Sequence, residues 1–481
     1  MLEPRVTRVA ILGVAVNNLT MDQVLDATEA KIAEGGFHQI ATANVDFLLK
    51  SVHDEELHET LCRCDFVLAD GMPLVWASHL LGTGLKERVT GADLVPRLAE
   101  LSARKGYRIF LLGASEASSS GSAAWMEKTY PGVQIVGRYC PSYQTLEEMD
   151  HQEMLTRIEA AQPDILLVSF GNPKQEKWLA MHRHRLNVPV CIGVGAAFDF
   201  LSGSISRAPA WMQHSGLEWL YRTIQEPSRL AKRYASNLAG LMRYLPVQLT
   251  AFAVQARHHS PAQVTSETFG MTTVLRVNGD FTGALLPKFE AEVRRAVLSR
   301  SHVVVDMSKA GYIGADALGS LIHLKNLTHL WKRELWLAGL RRLPAWVVRA
   351  TQLGTSFRIA DKVAEALRRI EPELAAAPQS GQDWAFCRIG GQLIPIHAQE
   401  VPEVYRQVRQ MLKQRLTVEP IPVMASAGPE MGARIQSWFP SMPDESTASG
   451  KLKLISPKSE TPYGSQWDRE TGSSLRETAA R

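Results

Sequence analysis

The sequence predicts an α/β protein with a Rossmann-like, mostly parallel sheet in a larger domain, a helical appendage, and a smaller second α/β domain. From residue 5 to about 200, short apolar runs rich in branched side chains alternate with longer helix-like segments, which is typical of parallel strands joined by helices. Residues 271–371 repeat this alternation on a smaller scale. From 420 to 481, Pro, Ser, Thr, Gly and charged residues dominate, and this composition is typical of a disordered tail.

The bulk composition favours a globular protein that does not bind nucleic acid. The 481 residues have room for roughly three domains, and a content of 45% hydrophobic and 21% charged residues is ordinary for chains that bury large cores. The net charge of +4 is small for this length, so any basic function requires local clustering of Lys and Arg.

The cysteines and the hydropathy favour a cytoplasmic protein that does not cross a membrane. Five scattered cysteines do not form a disulfide framework, and they fit a reducing compartment. The first residues lack the basic-then-apolar pattern of a signal peptide. No stretch reaches the roughly 18 uninterrupted apolar residues of a spanning helix, because the closest, 238–254, is interrupted by Arg243 and Pro246.

In the larger domain, assigned to 1–210, seven segments have the composition of buried strands. They are 6–16, 38–43, 66–70, 107–113, 133–139, 164–169 and 190–195. Each is followed by turn-forming residues and then by a longer periodic segment. Because ligands of parallel sheets bind beyond the carboxyl ends of the strands, we expect the site residues in these turns.

Residues 211–255 form a separate basic and aromatic appendage with helical periodicity. Its first apolar stripe consists of Leu217, Leu220, Tyr221 and Ile224. These positions lie on one helical face, and Arg222 lies on the opposite face. If the helix continues past Pro227, Arg229 and Arg233 also face away from the stripe.

The second domain follows a linker assigned to 256–270. Its predicted elements are a strand at 272–277, a helix at 285–298, a strand at 303–307, a helix at 315–330, a strand at 335–337, a helix, and a closing strand and helix within 357–370. Residues 372–419 stay unassigned, with a hairpin and a short helix compatible with the pattern at 384–412.

Motifs in the predicted turns of the larger domain carry polar and glycine residues. They are Thr42-Ala43-Asn44, Ala69-Asp70-Gly71, Arg88-Val89-Thr90-Gly91, Gly171-Asn172-Pro173-Lys174-Gln175-Glu176, Gly193-Val194-Gly195-Ala196-Ala197-Phe198-Asp199, Arg207-Ala208-Pro209, Glu218-Trp219-Leu220-Tyr221-Arg222 and Gln225-Glu226-Pro227-Ser228-Arg229. Through these motifs, residues 8 to 235 closely resemble the WecG/TagA/CpsF glycosyltransferases.

The resemblance implies an inverting transfer of a sugar, commonly of the N-acetylmannosamine type, from a UDP-sugar donor. The implied acceptor is a sugar linked to polyprenyl diphosphate, and the products belong to cell-surface polysaccharides such as exopolysaccharide. The family is apparently metal-independent, so neither a cofactor nor a metal is expected. The implied location is the inner face of the plasma membrane, to which the protein binds peripherally.

Asp70 is the candidate catalytic base. Glycosyl transfer needs a group that takes the proton of the acceptor hydroxyl, and the family points to the matching aspartate. The apolar neighbours Met72, Pro73, Val75 and Trp76 are expected to raise the pKa of this carboxylate towards neutrality. The alternative is that Asp70 caps the helix that follows it.

Other polar residues in these turns are candidates for orienting the substrates. Thr42 and Asn44 are expected to orient the donor sugar or the acceptor, with ordinary turn chemistry as the alternative. Asp199 is expected to bind a ribose or uracil group, unless it is a buried structural acceptor. The donor nucleotide is expected to meet Gly171, Asn172 and Gln175, where a helix begins and its backbone amides face phosphate.

Five arginines are candidates for binding the donor diphosphate, because guanidinium groups are permanently charged bidentate donors. They are Arg88, Arg207, Arg222, Arg229 and Arg233. In the resembled family, the helical appendage brings such arginines into the site and meets the membrane. The aromatic residues expected at that surface are Trp211, Trp219, Tyr221, Tyr234 and Tyr244. The alternative is an amphipathic helix docked on its own core.

Residues 271–371 resemble a STAS domain through the motifs at 303–308, 312–319 and 334–340. Asp316 stands where regulatory members carry a phosphorylated serine or threonine. A carboxylate cannot take up a stable phosphoryl ester, yet it keeps a negative charge. We therefore expect no phosphorylation switch, and instead a fixed docking module for a protein partner or for self-association. The alternative is an inert structural appendage.

Two other functional classes compete with an active transferase. In one, the transferase half has lost catalysis and the protein is a scaffold or regulator that acts through the STAS-like domain. Thr42, Asn44, Asp70, Arg88 and Gln175 are all of a chemically competent type, which favours the enzyme. In the other, an α/β enzyme acts on a soluble nucleotide, and it has no need of the aromatic and basic appendage.

Overall fold

The computed structural model describes residues 6–142, 144–255, 262–330, 332–354, 356–371, 384–389, 392–397 and 418–420, without the side chains of 210, 214, 229, 255, 330 and those from 384 onward. The described residues fall into two compact units. One lies within Met1–Glu267 and Thr273–Ala366, and the other within Thr268–Thr272 and Leu367–Arg481.

The chain begins with a β-hairpin, which corrects the single strand expected over 6–16. Strands β1 (Arg8–Ile11) and β2 (Val14–Asn17) pair antiparallel in a sheet of their own. Leu12 and Gly13 form the turn with φ of 48° and 84°. Two consecutive positive φ angles characterise the type I′ turn, whose twist matches that of the strands it joins.

The first unit contains a six-stranded parallel sheet in the order β4-β3-β8-β7-β5-β6, which confirms the predicted fold class. Its strands are β3 (His38–Ala43), β4 (Phe66–Ala69), β5 (Arg108–Gly113), β6 (Gln134–Tyr139), β7 (Ile165–Ser169) and β8 (Val190–Gly193). The accompanying helices are α1 (Met21–Glu34), α2 (Val45–Ser51), α3 (Glu55–Arg63), α4 (Met72–Leu80), α5 (Gly91–Lys105), α6 (Glu116–Thr129), α7 (His151–Ala161), α8 (Lys174–His182) and α9 (Ala197–Leu201).

The sheet is covered on both faces, because successive side chains of its strands enter different cores. In β3, Ile40 belongs to the core that contains α1 and α5, whereas Ala41 and Ala43 belong to the core on the other face. The second of these cores also contains the hairpin β1–β2 and residues from the region after 262.

Three helices follow the sheet: α10 (Ala210–His214), α11 (Glu218–Gln225) and α12 (Pro227–Gln255). The helix therefore does not run unbroken past Pro227; it is interrupted at Glu226, and α12 then continues through Pro246. None of the helices in the described part of the chain is long and apolar enough to span a bilayer.

The region after 262 is a second α/β domain with a five-stranded sheet in the order β13-β12-β11-β10-β9. Its elements are β9 (Gln263–Phe269), β10 (Thr272–Phe281), α13 (Leu286–Leu298), β11 (His302–Ile313), α14 (Ala315–Leu330), β12 (Leu335–Ala338), α15 (Arg342–Ala350), β13 (Arg358–Ala360) and α16 (Val363–Ile370). Strand β9 occupies part of the stretch that the sequence suggested as a linker, and residues 256–261 lie outside the described residues.

The second unit contains a small antiparallel sheet in the order β15-β14-β16. Its strands are β14 (Trp384–Ile389), β15 (Gln392–His397) and β16 (Val418–Pro420). The first two form the hairpin considered for 384–412. The short helix considered there and the tail from 421 to 481 lie outside the described residues.

Candidate active site

A cavity of about 1020 Å³ lies at the carboxyl ends of β3, β4, β7 and β8, and residues of α2, α4, α11 and α12 contribute to its walls. This is the edge of a parallel sheet where ligands bind. The cavity brings together nine of the residues singled out from the sequence: Thr42, Asn44, Asp70, Arg88, Gly171, Asn172, Asp199, Arg222 and Arg233.

Asp70 lies directly after β4 and is half-buried in the wall of this cavity. Burial raises the pKa of its carboxyl to about 7; the carboxylate of Glu218 adds to the rise, and the guanidinium groups of Arg88 and Arg222 oppose it. Gly71 occupies the N-cap of α4 and no side chain caps that helix, so the capping role considered for Asp70 does not apply.

Two carboxylates that the sequence interpretation missed pair with the arginines. Arg88 donates from Nη1 to Glu218 at 3.1 Å, and its Nη2 lies 3.4 Å from Asp93. Arg207 donates from Nη1 to Asp93 at 2.6 Å, and its Nε lies 3.8 Å from Glu218. Burial opposes ionisation of Asp93, but the hydrogen bond from Arg207 lowers the pKa of this carboxyl below its usual value.

The presence of these carboxylates has a simple electrostatic reason. Several guanidinium groups in one partly buried place repel one another unless anions lie between them. Glu218 stands within a motif that the sequence singled out, and Asp93 stands three residues after Thr90 of another. An acidic residue in the same motif as the candidate Arg222 was therefore the signal that could have identified Glu218.

Three arginines keep unused donors near the cavity. The Nε atoms of Arg207, Arg222 and Arg233, and Nη2 of Arg207, are buried without a hydrogen-bond partner among the described residues. The guanidinium carbons of Arg222 and Arg207 lie 5.1 and 5.8 Å from the ring centroid of Phe200. Buried donors of this kind are costly unless an acceptor arrives, and a diphosphate supplies several acceptor oxygens.

Two of the five candidate arginines are not among the described residues that line the cavity. Arg207 is absent from the lining residues and stands behind the wall, where it pairs with Asp93. The side chain of Arg229 lies outside the described residues.

Gln175, which the sequence interpretation placed against the donor nucleotide, is not among the residues that line the cavity. Its side chain is completely buried, and Oε1 accepts hydrogen bonds from the backbone amides of Gly171 and Gly195, both at 3.2 Å. Nε2 donates to Glu176 at 2.7 Å. Gln175 therefore ties together the turns after β7 and β8, because its amide group can satisfy buried backbone groups of both.

Glu176 completes this buried network. Its carboxyl also accepts a hydrogen bond from Nδ2 of Asn172 at 3.1 Å. Burial raises its pKa to about 7, although the hydrogen bonds from Gln175 and Asn172 oppose the rise. A side chain at Gly193 would come within 2.5 Å of Gln175, so the close packing of β8 against this network requires glycine.

The hydrogen bonds of Thr42 and Asn44 serve the structure but leave atoms free for a ligand. The Thr42 hydroxyl donates to the Gly193 carbonyl at 2.9 Å, and the Asn44 carbonyl oxygen caps α2 by accepting from the Phe47 amide at 3.3 Å. A hydroxyl keeps acceptor lone pairs and a side-chain amide keeps its two donors after such bonds. Asp199 lies in the first turn of α9 and lines the cavity.

One wall of the cavity is apolar and continues onto the surface. It includes Met72, Trp76 and Leu80 of α4, Trp219 of α11, and Tyr234, Leu238, Leu241 and Leu245 of α12. Leu220 and Ile224 of the stripe predicted on α11 are 39% and 70% exposed, and no residue of α11 is buried, so this stripe does not pack onto a core. Met242 of α12 is 67% exposed as well. Large apolar side chains gathered at one opening indicate a surface that contacts something apolar.

Asp316, which the STAS resemblance aligns with the phosphorylated position, is buried in the second domain. It stands at the start of α14, is 7% exposed, and accepts a hydrogen bond from the Ala317 amide at 2.8 Å. Burial raises its pKa, against the effect of that bond. Gly283 and Gly314 enclose it so closely that a side chain at either would lie within 3 Å of a carboxylate oxygen.

Within the described part of the chain, no group of three or more His, Cys, Asp or Glu side chains is arranged to hold a metal ion. Of the described cysteines, Cys62, Cys64, Cys140 and Cys191 are free thiols.

Comparison with known families decides the class of this site. The model of the glycosyl transferase WecG/TagA/CpsF family matches residues 9–253, about half of the chain and the whole of the cavity. The chain belongs to the WecG/TagA/CpsF glycosyltransferase family. The model of the STAS domain matches residues 262–366, so a STAS domain follows the transferase domain.

Three relatives carry the name N-acetylglucosaminyldiphosphoundecaprenol N-acetyl-β-D-mannosaminyltransferase. The protein of Bacillus subtilis (strain 168) is 34% identical over 190 residues, which are 40% of this chain and 72% of the relative. That of Bacillus spizizenii (strain W23) is 29% identical over 244 residues, 51% of this chain and 90% of the relative. That of Staphylococcus aureus (strain MRSA252) is 28% identical over 227 residues, 47% of this chain and 87% of the relative.

Proposed function

We propose that this glycosyltransferase moves an N-acetylmannosamine-type sugar from a UDP-sugar to a sugar carried on polyprenyl diphosphate, with inversion at the anomeric carbon. The observation that carries the proposal is the half-buried carboxyl of Asp70, with a pKa of about 7, in one cavity with Arg88, Arg222 and Arg233. The names of the relatives in Bacillus and Staphylococcus supply the acceptor and the sugar class.

In the proposed step, the acceptor hydroxyl oxygen attacks the anomeric carbon of the donor. The bond from that carbon to the diphosphate oxygen breaks, and its electron pair leaves with UDP. The hydroxyl proton passes to the Asp70 carboxylate, whose raised pKa is matched to proton transfer near neutral pH. A single displacement of this kind inverts the configuration of the sugar.

The departing diphosphate gains negative charge in the transition state, and Arg222 and Arg233 are placed to stabilise it. Both line the cavity, and both have a buried Nε without a partner among the described residues. Donors already in position when charge develops stabilise a transition state most effectively. Arg88 is held by Glu218 and Asp93, and we assign it to balancing the charge beside Asp70.

The apolar wall between α4 and α12 suits the lipid part of the acceptor. Trp76 and Leu80 on one side and Leu238 on the other are 46%, 66% and 63% exposed at the opening. We assign this opening to the membrane surface, where an acceptor anchored in lipid presents its sugar. The protein then works at the inner face of the plasma membrane without crossing it.

The decisive experiment incubates the full-length protein with a panel of UDP-sugars and N-acetylglucosaminyl-diphosphoundecaprenol in detergent. UDP release is measured with and without the acceptor, and the lipid product is analysed by mass spectrometry. Acceptor-dependent UDP release with N-acetylmannosamine added to the lipid supports the proposal. The proposal is contradicted if none of the UDP-sugars in the panel gives UDP release, either with or without the acceptor.

The pH dependence of transfer follows from the neighbours of Asp70. Below pH 7 the carboxyl is protonated and cannot accept a proton, so kcat/KM rises with pH up to about 7. Glu218→Gln removes a carboxylate that raises the pKa of Asp70. The substitution also removes the anionic partner of Arg88, and the guanidinium group of Arg88 lowers the same pKa. We expect the rising limb of the pH profile to move to lower pH in this variant, measured as kcat/KM from UDP release.

The control for this shift is Glu100→Gln, which removes a half-exposed carboxylate that pairs with Arg97 on the surface of α5. Its pH profile is expected to match that of the unmodified protein. A rising limb that stays in place in Glu218→Gln contradicts the assignment of the limb to Asp70.

Membrane binding tests the role of the exposed apolar residues. The double variant Ile224→Asp/Met242→Asp places charge on two of the most exposed apolar side chains of α11 and α12. Burying such side chains in lipid is worth about 1.5–3 kcal/mol each, so we expect the bound fraction in a flotation assay with phosphatidylglycerol-containing vesicles to fall about tenfold or more.

The control is Leu298→Asp, because Leu298 is 78% exposed on α13 of the STAS domain. This variant is expected to float as the unmodified protein does. Equal flotation of all three proteins contradicts the assignment of the opening to the membrane.

A further inference from the structure

The hairpin β1–β2 is buried on all sides, and the STAS domain provides part of the cover. All of its strand residues are buried. Helix α14 of the STAS domain packs against both strands. A side chain at Gly319 of α14 would lie 2.6 Å from the backbone oxygen of Arg8, so the helix and the strand are in direct backbone contact. This close approach is possible only because residue 319 is glycine.

The same hairpin holds the second half of α12 through Gln248. The side chain of Gln248 is completely buried, although it is a polar residue on a long helix. Its Nε2 donates to the carbonyl of Ala10 at 2.9 Å, and its Oε1 accepts from the amide of Leu12 at 3.2 Å. Both polar atoms of the amide are therefore satisfied by the hairpin backbone, which fixes the helix in position and rotation.

One helical turn later, α12 is buried against the STAS domain. Phe252 is 5% exposed, and its ring meets that of Tyr312 edge to face with centroids 6.5 Å apart. Helix α15 of the STAS domain packs along α12 as well. Phe252 belongs to the same core as the hairpin and α14, so the helix, the hairpin and the STAS domain form one packed body.

The other half of α12 belongs to the cavity. Arg233, Tyr234, Leu238 and Leu245 line it, and Leu245 precedes Gln248 by three residues on the same helix. Leu241, Leu245, Gln248 and Phe252 follow the spacing of one helical face. One continuous helix thus reaches from the cavity to the STAS domain.

We infer that the STAS domain is an internal clamp on α12, which keeps the arginines of the appendage over the cavity. Its α14 face is occupied by the chain's own hairpin, and its Asp316 carboxylate is buried. An external protein is therefore not needed for this face to be filled. That these arginines bind the UDP-sugar donor, and that the clamp therefore supports donor binding, rests on the proposed function.

The first test loosens the clamp with Gly319→Leu in the full-length protein. Leucine favours a helix more than glycine does by about 1 kcal/mol, so α14 itself is not weakened, and the disturbance falls on its contact with β1. The matched control is Ala291→Leu on the exposed side of α13. Hydrogen–deuterium exchange followed by mass spectrometry is expected to rise in peptides from 238–255 in Gly319→Leu and not in Ala291→Leu.

A second variant, Phe252→Ala, removes the contact from the side of α12 and does not depend on how α14 tolerates a larger residue. Its control is Val254→Ala, because Val254 lies on the same helix and is 44% exposed. UDP is the probe for the cavity, with binding measured by calorimetry. If α12 keeps its position over the cavity in about a tenth of the Phe252→Ala molecules at any moment, the Kd for UDP rises about tenfold. The stoichiometry then stays at one site per chain. Partial unfolding lowers the stoichiometry instead.

The outcomes separate the clamp from the proposed function. Unchanged exchange over 238–255 in both Gly319→Leu and Phe252→Ala overturns the clamp. Faster exchange with an unchanged Kd for UDP overturns it too, since the arginines then do not depend on the STAS domain. Absence of UDP binding to the unmodified protein contradicts the proposed donor, whereas the exchange comparison still decides whether the STAS domain holds α12.

Discussion

Replacement of Asp70 by Asn is expected to lower kcat for sugar transfer by at least about a hundredfold, because general-base catalysis commonly contributes that much. The amide has the shape of the carboxylate but cannot accept the acceptor's proton at neutral pH. Half-burial beside Glu218 places the pKa of this carboxyl at about 7, so the base is partly ionised under working conditions. The measurement is kcat from acceptor-dependent UDP release.

The control for this substitution is Asp22→Asn, on the exposed surface of α1, where the carboxylate pairs with Arg97. It is expected to leave kcat unchanged. The Kd for UDP of Asp70→Asn is expected to stay the same or to fall, because a negative charge near the diphosphate is removed. Retention of more than about a tenth of kcat in Asp70→Asn excludes Asp70 as the base.

Arg222→Ala is expected to lower kcat by about a hundredfold to a thousandfold, which is the usual cost of removing one preorganised donor to a developing charge. Arg222 lines the cavity, interacts electrostatically with Asp70 and keeps a buried Nε free of hydrogen bonds among the described residues. Arg222→Lys retains the charge but loses the planar fork, so we expect a smaller loss. Both variants are measured as kcat and KM for the donor.

The matched control is Arg243→Ala, because Arg243 is exposed on α12 and does not line the cavity. Its kcat in detergent is expected to equal that of the unmodified protein. A kcat for Arg222→Ala within about threefold of that of Arg243→Ala contradicts the assignment of Arg222 to the leaving diphosphate. If only KM for the donor rises, Arg222 binds the ground state and the transition state equally.

These two variants also distinguish an active enzyme from a scaffold that has lost catalysis. In an inactive scaffold, neither variant changes any transfer reaction, and UDP release stays at the background of the uncatalysed reaction. The buried arginine donors and the raised pKa of Asp70 are costly to a fold that does not use them. Such costs are expected at functional sites.

The sheet and most of its turns could be predicted because their signals are local. The strand predicted at 38–43 corresponds to β3, and the helix predicted at 315–330 corresponds to α14. Apolar runs, branched side chains and following glycines lie next to one another in the chain, so the pattern identifies the element. The hairpin at the start was missed because two short apolar strands separated by Leu12 and Gly13 have the composition of one longer strand.

The cavity could be predicted in outline, since polar residues at the ends of parallel strands gather at one edge of the sheet. Thr42, Asn44, Asp70 and Asp199 do so here. The hydrogen bonds of Gln175 could not be predicted, because a glutamine can reach a ligand or satisfy backbone amides equally well, and only the positions of Gly171 and Gly195 show that it bonds to their amides.

The sequence by itself determined the family, the fold class and the chemical types gathered at the active site, because these follow from local patterns and from motifs in a fixed order. Only the tertiary structure decided that Glu218 and Asp93 hold the arginines, and that Asp316 is buried. It alone placed α14 against the hairpin and joined Gln248 of α12 to the hairpin backbone. Ion pairs and packing join residues more than a hundred positions apart, and the order of residues along a chain carries no signal for such distances.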